Sequence, residues 1–175
     1  LRVPNIRALI DDYDRFFADS MLLTQTPGAA VVIVKDSTII FQRGYGVKRA
    51  GSADSVDANT VFRIGSLSKG FAGILTGILV QEGKLRWDDR VVRYVPEFAL
   101  SSPGQTREIS LSHLLSHTTG LPYHAYTNMI EAGYDLREIA AMFGHLQLHG
   151  KAGEIYSYQN AAFSLAGEAI RIATG

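Results

Sequence analysis

Ser66 and Lys69 stand three residues apart in Arg63-Ile64-Gly65-Ser66-Leu67-Ser68-Lys69. On a helix this spacing sets the lysine one turn above the serine on the same face. A serine hydroxyl is a weak nucleophile until a base takes its proton. An amine held beside it can do so where its surroundings favour the neutral form. If the serine opens the helix, unpaired N–H groups and the positive dipole end face a developing oxyanion, and the Ser66 N–H is one donor. The motif alone is weak, because Ser-x-x-Lys arises by chance about once in a chain this long. Its plain reading is a helix-capping serine followed by a solvated lysine. The setting favours chemistry: the helix that follows is apolar nearly all round, so a solvated lysine has little reason to sit there.

Tyr158-Gln159-Asn160 supplies the next parts. A phenolate near an ammonium can act as a general base. An Asn amide can hold a substrate carbonyl or amide while contacting the lysine. A second Tyr-x-Asn occurs at Tyr126-Thr127-Asn128. Tyr158 is favoured because it precedes an apolar helix and follows Gly153-Glu154, whereas Tyr126 lies in a loop just after Pro122. Either tyrosine could instead be a packed aromatic with its hydroxyl bonded. His113 and His117, at i and i+4, could face one metal, but no Glu lies between them and no third ligand is evident, so capping or packing is expected. Asp88 and Asp89 diverge on any regular element and are expected to cap the following helix. There is no Gly-x-Ser-x-Gly elbow and no Gly-rich phosphate loop.

These groups need elements to hold them. Apolar residues at helical spacing predict a helix over 5–22. Two β-branched runs, 29–35 and 38–45, flank Asp36-Ser37 and predict a hairpin. A loop over 46–59 leads to a short strand at 60–64, then a helix from 67 to 82 with Gly83 as its C-terminal cap. A loop is expected around Pro96 and Ser101–Gln105, followed by helices at 111–116, 135–149 and 161–174. The chain has 175 residues, no formal net charge and no cysteine. That suits one domain with a sizeable core, gives nothing that favours nucleic acid, and excludes disulfides and thiolate metal sites. The longest apolar run, 71–80, is far short of the roughly 20 residues that cross a bilayer. The chain starts at Leu1 without a signal peptide, which reads as a processed or trimmed product.

Taken together, the residues resemble the class C β-lactamase and penicillin-binding-protein-like serine hydrolase family. The likeness runs from about Pro27 to Gly175. Residues 57–69 look like that family's nucleophile segment, and Glu82–Asp89 like the segment after its nucleophile helix. Ile109–Leu121, which contains Ser116-His117-Thr118-Thr119-Gly120, resembles its most recognisable non-catalytic stretch, and Tyr158–Asn160 its Tyr-x-Asn motif. Ser-x-x-Lys is a signature of such enzymes. The resemblance implies that Ser66 is the nucleophile, Lys69 its activator, Tyr158 a second base, and Asn160 the residue that positions the acyl group. It places both histidines in a structural turn and calls for no cofactor or metal.

The implied fold is α+β and β-lactamase/transpeptidase-like: helix plus antiparallel sheet beside an all-helical region, with the active site between them. Residues 1–82 would belong to the α/β part, its sheet incomplete here, and 83–175 to a partial helical part. Gln159 stands where relatives often carry a small residue, and Ala152 where many have Pro. No Lys-Thr-Gly occurs. That third motif would bring a second oxyanion donor, so a missing C-terminal segment is the expected partner, in cis or in trans, and the fragment alone should be inactive. The substrate would be a β-lactam or a D-alanyl, peptidoglycan-like peptide. The alternatives are an esterase or D-amino-acid amidase on the same fold, or a silent peptidoglycan-binding module. A periplasmic or secreted location is implied, with the cytoplasm left open.

Overall fold

The structure, a computed structural model, describes residues 5–175. Packing within the chain divides it into two compact units, 1–63 and 64–175. The helix over 68–81 thus packs with the helices that follow it, and the division falls ahead of it.

In the first unit, α1 (Ile6–Thr24) starts where the Asn5 side chain accepts the Ala8 N–H at 3.2 Å, a side-chain N-cap. The predicted hairpin forms as β1 (Gly28–Lys35) and β2 (Thr38–Gly46), antiparallel from Gly28 opposite Gly46 to Lys35 opposite Thr38. Asp36 takes φ +53° in the two-residue turn, which a short polar side chain tolerates. Helix and hairpin meet through aromatic rings, Phe17 lying 4.9 Å from Tyr45, and through Asp14, which accepts the Tyr45 hydroxyl at 2.5 Å and pairs with Arg43. Burial and the Asp14 bond push the Tyr45 phenol up to about 12.

No strand forms over residues 60–64, where one is expected. Asp57 instead closes a turn, accepting the Asn59 N–H at 3.0 Å and the Thr60 hydroxyl at 2.8 Å. Val61, beyond the turn, is 94% exposed. A strand is defined by its neighbour, and no described strand lies alongside this segment to supply a ladder.

The second unit is helical: α2 (Ser68–Gln81), α3 (Pro103–Glu108), α4 (Leu111–Leu115), α5 (Thr127–Glu131), α6 (Leu136–Met142) and α7 (Asn160–Thr174). Gly83 caps α2 as expected. Its N–H reaches Val80 O at 3.0 Å while the Lys84 N–H reaches Leu79 O at 2.9 Å, the paired bonds of a Schellman end. At the core, α7 buries Ala161, Ala162, Leu165, Ala166 and Ala169 against α4 and α6. Its small residues let neighbouring helices approach closely, and Phe98, Ile109, Leu114, Ile139 and Phe143 fill the remaining space.

Two expected elements differ. The loop at Ser101–Gln105 is the start of α3: Ser102 is its N-cap and Pro103 its first residue, a position that suits a proline because no N–H is needed there. The helix expected over 135–149 ends at Met142, followed by a 3₁₀ turn to His145. Leu146 is extended, and the His149 N–H turns to Gly120 O at 2.8 Å. Asp89 does not cap the following turn either. It is buried and accepts the Arg86 N–H at 2.9 Å and the Tyr94 hydroxyl at 2.6 Å, tying the loop after α2 together. Among the described residues no helix is long and apolar enough to cross a membrane.

Candidate active site

Ser66 lies in a 3₁₀ turn, Gly65–Leu67, that runs directly into α2. The Leu67 N–H bonds to Ile64 O at 3.1 Å, while the Ser66 N–H has no acceptor among the described residues. That N–H therefore remains available at the positive end of the helix, where an anionic oxygen would be stabilised.

Lys69 follows one turn later and its Nζ donates to Ser66 Oγ at 3.2 Å. The same ammonium donates to Asn160 Oδ1 at 2.8 Å, which links the start of α2 to the start of α7. It also faces two rings, 4.9 Å from the centre of Tyr158 and 5.3 Å from that of Phe163. The Tyr158 hydroxyl completes the set, donating to Ser66 Oγ at 2.6 Å. Interaction with the Lys69 ammonium first, and with the Ser66 hydroxyl second, holds the Tyr158 phenol below its ordinary value of 10.0. With one proton removed from the Lys69–Tyr158 pair, the contact to Ser66 reverses and the serine becomes the donor, the state in which it is a nucleophile. All four residues fall within the second unit.

The segment 156–159 that carries Tyr158 has no regular structure of its own. It is held by the stretch 117–124. The Ser157 N–H donates to His117 O at 2.8 Å, the Gln159 N–H to His117 Nδ1 at 3.2 Å, and the His124 N–H to Tyr158 O at 2.9 Å. Buried Gln159 adds a side-chain bond to Pro122 O. Gly120 makes the bend of this stretch possible: it has φ +84°, and a Cβ there would lie 2.3 Å from Gly150 O.

The other candidates go elsewhere. Tyr126 donates to Met142 O at 3.2 Å and packs on Phe143, so the second Tyr-x-Asn is a core contact away from Ser66. His113 accepts the Ser110 N–H at 3.2 Å at the head of α4, and burial holds its imidazole below 6.5. The two histidines thus each accept a backbone N–H from a different segment. Phe163 was not foreseen at the site. Its signal is its place one turn after Asn160 on α7, on the face that meets Lys69.

The Beta-lactamase family model matches residues 8–175. The chain is 30% identical to Protein flp of Staphylococcus aureus (strain COL) over 150 residues, 85% of this chain and 30% of that protein. It is 28% identical to Unguisins hydrolase ungD of Aspergillus violaceofuscus over 172 residues, 94% of this chain and 30% of that one. Among solved structures it is similar to an octameric penicillin-binding protein homologue from Pyrococcus abyssi, with a TM-score of 0.80 at 25% identity over 95% of this chain and 39% of that one. A class C beta-lactamase matches with a TM-score of 0.80 at 26% identity, over 96% of this chain and 45% of that one. The chain thus spans about a third of the length of the curated relatives it matches. The matched residues, 8–175, take in the Ser66 turn, α2 and the Tyr158 segment, and the chain belongs to the Beta-lactamase family.

Proposed function

We propose that this chain carries the nucleophile of a serine acyl hydrolase, and that the protein forms an acyl-enzyme through Ser66 on β-lactam or D-alanyl peptide substrates. One observation carries the reading: Ser66 Oγ lies 3.2 Å from Lys69 Nζ and 2.6 Å from the Tyr158 hydroxyl, with Lys69 anchored to Asn160. Ser66 Oγ bonds to the substrate carbonyl carbon, and its proton passes to the Lys69–Tyr158 pair. The Ser66 N–H stabilises the oxyanion. The bond to the leaving nitrogen breaks as the pair returns the proton to it. Water then gives a proton to the pair as its oxygen bonds to the acyl carbon, the bond from that carbon to Ser66 Oγ breaks, and the pair returns the proton to Ser66 Oγ. Asn160, tied to Lys69, holds the acyl group. The reading calls for no metal or cofactor, and a periplasmic or secreted location goes with the proposed substrates.

Mass spectrometry of the full-length protein after incubation with a β-lactam and with a fluorophosphonate tests this. One adduct, mapped to Ser66 and lost in Ser66→Ala, is expected. A label on another serine would overturn the assignment. A relative named as a hydrolase of unguisins keeps a second reading in view, an ester or amide hydrolase on the same fold. Labelling by the fluorophosphonate but not by the β-lactam would favour it. No labelling by either reagent would favour a silent binding module.

A further inference from the structure

We propose that His117 is a positioning residue for Tyr158: its neutral imidazole accepts the Gln159 N–H through Nδ1 and forms the plate against which the Tyr158 ring is held at Ser66. This rests on the serine hydrolase reading above. Three observations converge. The bond to Nδ1, at 3.2 Å, assigns the ring proton to Nε2. The His117 ring lies 4.5 Å from Tyr158 on one side and stacks 5.3 Å from Phe163. These are the two rings that Lys69 faces, so His117, Tyr158, Phe163 and Lys69 form one contiguous cluster. The His117 carbonyl adds its bond to Ser157, so a single residue grips the chain on both sides of Tyr158. It does so at φ +58°, a backbone state that a residue other than glycine rarely occupies.

A charged His117 is incompatible with this arrangement. Protonated Nδ1 would present an N–H to the Gln159 N–H, and a second cation would share the cluster with Lys69. The groups facing the ring are Lys69 of α2 and Tyr156 and Tyr158 of the held segment. Phe163 of α7 brings no charge. No carboxylate contacts the ring among the described residues. Burial first, and the Lys69 charge second, keep the imidazole below 6.5. His117 is therefore biased toward its neutral form, and charging it takes a lower pH than an ordinary histidine needs.

The test uses the full-length protein and the rate of Ser66 acylation by a fluorophosphonate. In the parent, the fall of the logarithm of the rate with falling pH should steepen by about one unit of slope as His117 charges. His117→Asn keeps an acceptor near the Nδ1 position and tolerates the positive φ, but loses the plate and the titration. Its rate at pH 7 should fall about 10–10²-fold, the scale of a misplaced catalytic group, and its acid limb should lack that steepening. His113 and His117 both have depressed values in the fold. The stability they contribute is present above about 6.5 and is lost as the pH falls through the folded values. Circular dichroism at each pH therefore confines the rates to folded protein. Nitrogen NMR of the parent imidazoles supplies a readout independent of variants, with Nδ1 of His117 unprotonated and Nε2 protonated at pH 7. A proton on Nδ1 at pH 7, or the same steepening surviving in His117→Asn, overturns the proposal. Absence of any Ser66 adduct in the parent overturns the hydrolase reading itself, and the role of His117 with it.

Discussion

Two tyrosines precede an x-Asn in this chain, and their surroundings separate them. The Tyr158 hydroxyl reaches Ser66 Oγ at 2.6 Å and its phenol is held below the ordinary value by Lys69. The Tyr126 hydroxyl ends on Met142 O inside the helical unit. Tyr158→Phe and Lys69→Ala should therefore each slow acylation of Ser66 by about 10²–10⁴-fold, the usual contribution of a positioned base. Tyr126→Phe should change the rate by less than about twofold while costing roughly 1 kcal/mol of stability for the lost bond. Stopped-flow acylation with denaturant melts reads both effects. A critical Tyr126 beside a dispensable Tyr158 would reverse the assignment. Much of this was legible in the sequence, since Ser-x-x-Lys fixes its own geometry once a helix is granted. The part that was not legible is how His117 and Gln159 grip the segment. Those bonds join residues about forty positions apart, and no local spacing encodes them.

At the scale of elements, the stretch 117–124 does more than end α4. Its carbonyls at His117, Thr118 and Gly120 accept the N–H groups of Ser157, Gly153 and His149, so irregular chain over 149–159 is held by irregular chain. Gly120 is the residue on which that arrangement turns. Gly120→Ala forces a left-handed φ on a residue with a Cβ and drives that Cβ against Gly150 O. A loss of about 2–4 kcal/mol is expected, together with slower acylation because Tyr158 hangs from the same stretch. Equilibrium urea melts and the labelling rate check the two effects, and a neutral substitution would show that the stretch is not a support. The expected elements that failed share a cause. The short strand at 60–64 lacked a partner to define it. The helix over 135–149 ended at Met142, and the His149 N–H bonds instead to Gly120 O. Both outcomes are set by distant neighbours, which periodicity cannot report. The hairpin, α1, α2 and α7 were legible because propensity, caps and apolar spacing agree within each one.

The whole molecule raises a question that single residues do not. On α2 and the turn before it, Leu67, Phe71, Ile74 and Ile78 follow one another at helical spacing, yet they are exposed, Phe71 at 66% and Ile74 at 65%. A contiguous apolar face of this kind marks a surface that is normally covered. The hairpin is a two-stranded sheet, which is marginal without further strands or cover. On the proposed reading the described residues offer a nucleophile, a paired base and one oxyanion donor, the Ser66 N–H. Losing one such donor costs about 10²–10³-fold in other serine hydrolases. A polypeptide of these 175 residues alone should therefore self-associate and turn over a chromogenic ester slowly. A chain of the length of its curated relatives, which are about three times longer, should be more soluble and faster by at least that factor. Sedimentation velocity and kcat/KM on the two chains decide the matter. A monomeric short chain with the same kcat/KM would show that the helix face needs no cover and that the Ser66 N–H suffices for the oxyanion.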